Sequence, residues 1–161
     1  MITHRNIIDV SKVQILPITI EAALEVASNL LPEDRREIEE GWGCDVKEEL
    51  LTAAQDSSTV YFTMPNGKTA GIGGVQQDGN IWMLCTPAIY DYPIAFIKAA
   101  KGYLESRKEP LLWNVVDARN KLHLKLLKSL GFKFLRKISH GPNQLSFIEF
   151  CRVQSSKCRP D

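Results

Sequence analysis

Residues 111–132 read LLWNVVDARNKLHLKLLKSLGF, and this stretch decides the fold. Leu111 to Val116 is an apolar run of strand length. Asn120 then stands where a helix begins, and asparagine fills an N-cap well. Leu122, Leu126, Leu127 and Leu130 recur at helical spacing until Gly131 stops the helix. Phe132 opens the next strand. The segment therefore predicts strand, short helix, strand.

Upstream, Ile81–Thr86 is a continuously apolar strand, which predicts a central position covered on both faces. Pro93 suits the first position of a helix reaching about Arg107. The unit from Ile81 to Val116 is then a strand–helix–strand crossover, the one parallel connection in the chain. Before it, Val60, Phe62 and Met64 alternate with Tyr61 and Thr63. Asn66-Gly67 turns that strand back into a partner over Thr69–Gln76, and Asp78-Gly79 is a second tight turn. The first third holds a short strand at Val13 and Ile15 and three helices. Thr19 caps the first; Pro32 opens the second, with Glu33 and Asp34 in its first turn; Asp45 with Glu48 forms a capping box on the third. Two more strands, about Phe132–Ile138 and Leu145–Phe150, follow residue 131. The order is β-α-α-α-β-β-β-α-β-α-β-β.

Bulk properties exclude several functions. The 161 residues suit one domain, 1–161, with a core of about 12–150 and a loose tail from Ser155 to Asp161. A net charge of +1 gives no electrostatic basis for binding nucleic acid. The opening MITHRNIIDV lacks the apolar run of a signal peptide, and no stretch approaches a membrane span, so a protein retained inside the cell is expected. Cys44, Cys85, Cys151 and Cys158 are widely and irregularly spaced, with no CxxC. That predicts reduced structural thiols, with no zinc site and no disulfide framework.

The element order, with Leu111–Val116, Asn120 and the Leu126-Leu127-Lys128-Ser129-Leu130-Gly131-Phe132 step, resembles the GNAT acetyl-CoA-dependent N-acyltransferases. Leu112-Trp113-Asn114, Asn120, His123, Leu127-Lys128 and Gly131-Phe132 further resemble the GNAT-like proteins of short-tailed bacteriophages, of the internal virion protein A type. The resemblance implies an α/β (α+β) fold. Its mixed, mostly antiparallel central sheet would have six to seven strands, flanked by four to five helices. It implies transfer of an acetyl group from acetyl-CoA to an unidentified amine, with acyl-CoA lying in a V between the strands Ile81–Thr86 and Leu111–Val116. Backbone N–H groups of Leu84, Cys85 and Thr86 would polarise the thioester, and Asn120 would bond the pantetheine arm. The phage likeness implies a protein of the host cytoplasm or the virion.

Several residues carry two readings. His123 is an acid/base candidate or a helix histidine bonded to a neighbour. Tyr92, with Tyr90, closes over a substrate or donates a proton, or else packs at a sheet end. Asn114 lines the cleft or pairs with a loop. Trp42 is a core plug or an interface anchor. The charged run Glu33–Glu40 reads as a solvated helix face. Against the family pattern, Pro87-Ala88-Ile89-Tyr90-Asp91-Tyr92-Pro93 holds neither glycine nor base where a pyrophosphate would be cradled. Leu127 replaces the usual acid tyrosine, and Ile81–Thr86 offers no carboxylate. The alternative to an enzyme is therefore a decayed GNAT fold serving as a virion-associated or host-interacting protein.

Overall fold

The computed structural model describes residues 12–154. The MITHRNIIDV segment, Cys158 and the tail 155–161 lie outside them. Seven strands and five α-helices follow in the expected order: β1 Gln14–Pro17, α1 Ile20–Ser28, α2 Pro32–Arg36, α3 Val46–Ala54, β2 Thr59–Thr63, β3 Thr69–Val75, β4 Ile81–Cys85, α4 Pro93–Ser106, β5 Leu111–Asp117, α5 Lys121–Ser129, β6 Lys133–His140 and β7 Leu145–Val153. A π-helical turn, Glu37–Trp42, continues α2, and a 3₁₀ turn, Pro87–Tyr90, precedes α4. The caps are those the sequence predicts. Thr19 Oγ1 accepts from Ala22 N–H, Asp45 from Glu48 N–H and Asn120 from His123 N–H.

The strands form two antiparallel sheets, β1-β2-β3-β4 and β5-β7-β6. β4 and β5 run parallel and diverge, with backbone pairing at the bridge between Asn80 and Trp113. Three hydrogen bonds close that end. Trp113 N–H reaches Gly79 O at 3.0 Å, its indole N–H reaches Asp78 O at 3.1 Å, and Asn114 Nδ2 reaches Ile81 O at 2.7 Å. Gly79 makes the approach possible. It sits at φ 88°, and a Cβ there would collide with the Leu111 carbonyl. The predicted central strand Ile81–Thr86 is thus an edge of the split, and its residues 81–84 are only partly buried. Its apolar run faces a cleft as well as a core.

Helices cover the sheets in separate groups. Val26, Leu30, Ile38, Val46 and Leu50 pack on Ile72 on one face. The 3₁₀ turn and α4 pack on the other, around Phe62, Met64, Ile89 and Phe96. A third cluster joins Leu104 and Leu130 to Leu112, Val116, Phe132 and Phe150 of the second sheet. Area burial of this kind, at about 25 cal/mol per Å² of apolar surface, holds the halves around the V. Trp42 is half-exposed, stacked edge-on against His140 at 4.2 Å between centroids. Among the described residues no helix is long and apolar enough to cross a membrane.

Candidate functional site

A strand at a split presents every second backbone group to the gap. On β4 the parity is fixed at both ends, since Gln76 N–H bonds Asn80 O and Thr86 N–H bonds Ala70 O. Residues 80, 82, 84 and 86 therefore turn their N–H groups toward β3, in the register Gly74↔Trp82 and Ile72↔Leu84. Ile81, Met83 and Cys85 face the cleft. Ile81 O is taken by Asn114. Cys85 N–H donates to Asp34 Oδ2 at 2.7 Å, and Cys85 O accepts from Leu31 N–H at 2.9 Å. Met83 is left as the strand's open backbone position. The sequence led to Leu84, Cys85 and Thr86 as such donors; strand parity turns the N–H groups of Leu84 and Thr86 toward β3, and Asp34 takes that of Cys85.

β5 shows the same economy. Trp113 N–H goes to Gly79 O, Val115 N–H to the Oδ1 of Asn114 at 2.7 Å, and Asp117 N–H to Glu37 Oε1 at 2.8 Å. Asn114 thus resolves as a cleft residue that caps both edges. Asp34 and Glu37, one turn apart, cap one edge each. The reading of Glu33–Glu40 as a solvated face is wrong for these two. Asp34 is buried and Glu37 mostly so, while Glu39 and Glu40 remain exposed. The signal was present in the spacing. Leu31, Asp34 and Ile38 lie at i, i+3, i+7, the stripe that faces a core, and all three are buried.

Asp34 also binds α5. Asn120 Nδ2 donates to its Oδ1 at 2.8 Å, and His123 Nε2 lies 3.0 Å from Oδ1 and 3.2 Å from Oδ2. Asn120 therefore caps its helix and ties Asp34, all within the interior. Burial pulls the His123 pKa down, but the Asp34 carboxylate overrides it and holds it well above the ordinary value. Burial pushes the Cys85 thiol up to about 11. Burial likewise pushes Glu37 up to about 7, against the opposing pull of His123 and of the Asp117 N–H. Tyr92 stands at the N-cap of α4, half-buried against the cluster around Phe96. Tyr90 is exposed at the end of the 3₁₀ turn.

A cavity of about 410 Å³ runs through the split. Ile81–Leu84 and Asn114–Val116 form its sides, and Glu37 and His123 border it. Toward α4 and α5 its wall is apolar, with Ala99, Ala100, Leu126 and Leu127; toward α3 it carries Glu49 and Asp56. An acyl-pantetheine arm fits here: a narrow apolar slot with one open strand N–H and C=O at Met83. A diphosphate does not fit the loop at 87–92. Pro87 and Pro93 supply no N–H, no glycine allows close approach, and Asp91 accepts from Asn66 Nδ2 at 3.0 Å.

No protein-family model matches the chain, and no curated protein matches it. Solved structures do. A GNAT-family acetyltransferase from Bacillus anthracis superposes with a TM-score of 0.66 at 10% identity, over 88% of this chain and 95% of that one. The ribosomal-protein-S18-alanine N-acetyltransferase of Escherichia coli gives 0.61 at 18%, over 92% and 98%. The spermidine N-acetyltransferase of Vibrio cholerae, in complex with CoA and spermine, gives 0.61 at 11%, over 89% and 96%. The chain has the GNAT fold.

Proposed function

We propose that this protein transfers an acyl group from acyl-CoA to a cationic amine, using Glu37 as general base. The observation that carries this is the position of Glu37. It borders the cavity between the diverging strands, and its pKa of about 7 suits proton transfer near neutrality. Glu49 and Asp56 on the same side favour an ammonium acceptor, in line with the spermine held by the Vibrio neighbour. Glu37 takes a proton as the reacting amine, in its neutral form, attacks the acyl carbonyl, and Met83 N–H is the open donor for the oxygen on which charge develops. The C–S bond then breaks, CoA leaves as a thiolate that is reprotonated from solvent, and Glu37 returns its proton to solvent. The bound cofactor supplies the activated thioester. His123 and Tyr92, the catalytic residues expected from sequence, take other places in this reading. Pairing with Asp34 holds the His123 pKa well above its ordinary value, which favours the imidazolium over a base; Tyr92 packs at the head of α4. Asn120 orients Asp34, Leu84 lines the cavity, and Cys85 and Thr86 are buried with their N–H groups bonded to Asp34 and to Ala70 O.

The test is titration with acetyl-CoA, followed by release of free thiol in the presence of polyamines. Saturable, amine-dependent thiol release lost in Glu37→Gln supports the reading; an absence of both binding and turnover sinks it. The diphosphate-hostile loop and the Asp34 bond on Cys85 N–H favour a second reading, a non-catalytic protein. The phage resemblance would place that protein in the virion or on a host partner. Recovery of the chain in purified particles, without acyl-CoA binding, would establish it.

A further inference from the structure

Asp34, Cys85 and His123 come from three different elements, α2, β4 and α5, and all are buried. One donor atom from each lies within 4.8 Å of the other two. We propose that these three side chains form a binding site for a divalent cation of the zinc class.

The geometry is close to what such an ion needs. Bonds of about 2.0–2.3 Å in a tetrahedron place neighbouring donors roughly 3.3–3.8 Å apart. Asp34 and His123 stand at 3.0–3.2 Å, so that pair opens slightly and the widest pair closes by about 1 Å. A thiolate, an imidazole and one carboxylate select zinc, cobalt or ferrous iron over magnesium and calcium, which prefer all-oxygen sets. The carboxylate is already aimed. Cys85 N–H holds Oδ2 at 2.7 Å and Asn120 Nδ2 holds Oδ1 at 2.8 Å, the outer bonds that orient metal-binding carboxylates. Each oxygen keeps a lone pair for the ion. His123 also borders the cavity, from which water can reach a fourth position.

Charge balances as well. Without the ion, a carboxylate, an imidazolium and a thiol sum to zero. With it, the dication, a carboxylate, a thiolate and a neutral imidazole also sum to zero. Binding exchanges one dication for two protons, one from His123 and one from Cys85, both released to solvent. The buried site therefore gains no net charge, which removes the main penalty for an ion in the interior. Spacing alone could not reveal such a site, because positions 34, 85 and 123 share no short motif. The ion would pin three elements at one end of the cleft, and no step of acyl transfer passes through it.

Cobalt(II) is the probe. The full chain is stripped with chelator and titrated with Co²⁺. The expected result is a thiolate-to-cobalt charge-transfer band in the near ultraviolet, with intense tetrahedral visible bands, saturating at one equivalent and displaced by Zn²⁺. Cys85→Ser should abolish the charge-transfer band, and His123→Ala should weaken binding by at least about 100-fold. Absence of the band in the native chain overturns the proposal. So does its survival in Cys85→Ser, which would place cobalt on another thiol. Should Cys85→Ser misfold, the C44S/C151S/C158S triple variant decides: the band persists at full intensity if Cys85 is the ligand and disappears if it is not.

Discussion

Glu37→Gln separates the electrostatic reading of the cleft from a merely steric one. In the folded chain burial lifts Glu37 from 4.5 to about 7. A folded pKa above the unfolded one means the native state holds the proton more tightly. Between those two values unfolding releases a proton, so stability falls as pH rises, and the full penalty is present above about 7. At about 1.4 kcal/mol per tenfold in proton affinity, the ceiling is about 3 kcal/mol. Glu37 keeps some solvent, and half that figure, about 1.5 kcal/mol, is the working expectation. Glutamine cannot ionise, and its oxygen still accepts from Asp117 N–H. Its amide needs a new partner, which adds a pH-independent offset of about 1 kcal/mol. The pull of His123 on Glu37 is already contained in that value of about 7. The melting temperature of the variant minus that of the native chain should thus rise by about 3–6 °C between pH 5 and 8.5, at 2–4 °C per kcal/mol for a chain of this size. Parallel thermal melts across that range measure it. A difference that stays flat with pH would refute the burial argument. If Glu37 is also the base, the same variant loses about 10²–10⁴-fold in turnover with little change in acyl-CoA affinity.

Because the loop at 87–92 does not fit a diphosphate, S-acetylpantetheine should serve as donor nearly as well as acetyl-CoA. Ratios of kcat/KM within about tenfold, a gap of about 1.4 kcal/mol, are expected from steady-state assays; a much larger preference for acetyl-CoA would mean the phosphates are held elsewhere. Asn114→Leu removes the caps on Ile81 O and Val115 N–H, and about 2–4 kcal/mol of stability should go with them in denaturant titrations. Gly79→Ala sets a methyl against the Leu111 carbonyl at φ 88°. It should destabilise by more than about 2 kcal/mol, and hydrogen exchange should show the β4–β5 junction opening first.

The elements were legible because each announces itself locally. Asn66-Gly67, Thr19, Asp45, Pro93 and Gly131 act over three or four residues, and the structure uses each where expected. The parting of the sheet was not legible. It depends on which strand edge finds a partner, and Ile81–Thr86 reads as equally apolar whether a strand or a cleft lies beside it. Asn114 was the one visible trace, a polar side chain inside an apolar run, and it became informative only once both its partners were known.

Asp34 shows why the site was harder to read than the fold. In sequence it is one acid among seven charged residues from Glu33 to Glu40, and composition assigns such a run to solvent. Its stripe with Leu31 and Ile38 argues the reverse, and burial decides for the stripe. A buried carboxylate survives only where donors surround it. Asp34 has three: the Cys85 N–H, the Asn120 amide and the His123 imidazole. Those donors lie 51, 86 and 89 residues away. Asp34→Ala would strand all of them at once. A loss of about 3–5 kcal/mol follows, well beyond the few tenths expected of an exposed helix acid. Asp34→Asn keeps an acceptor for Cys85 N–H but unpairs the imidazolium, and should fall between. If denaturant titrations instead put Asp34→Ala within 0.5 kcal/mol of the native chain, roughly the range of surface changes, the carboxylate would not be the junction of the three elements, and the solvated face inferred from composition would stand.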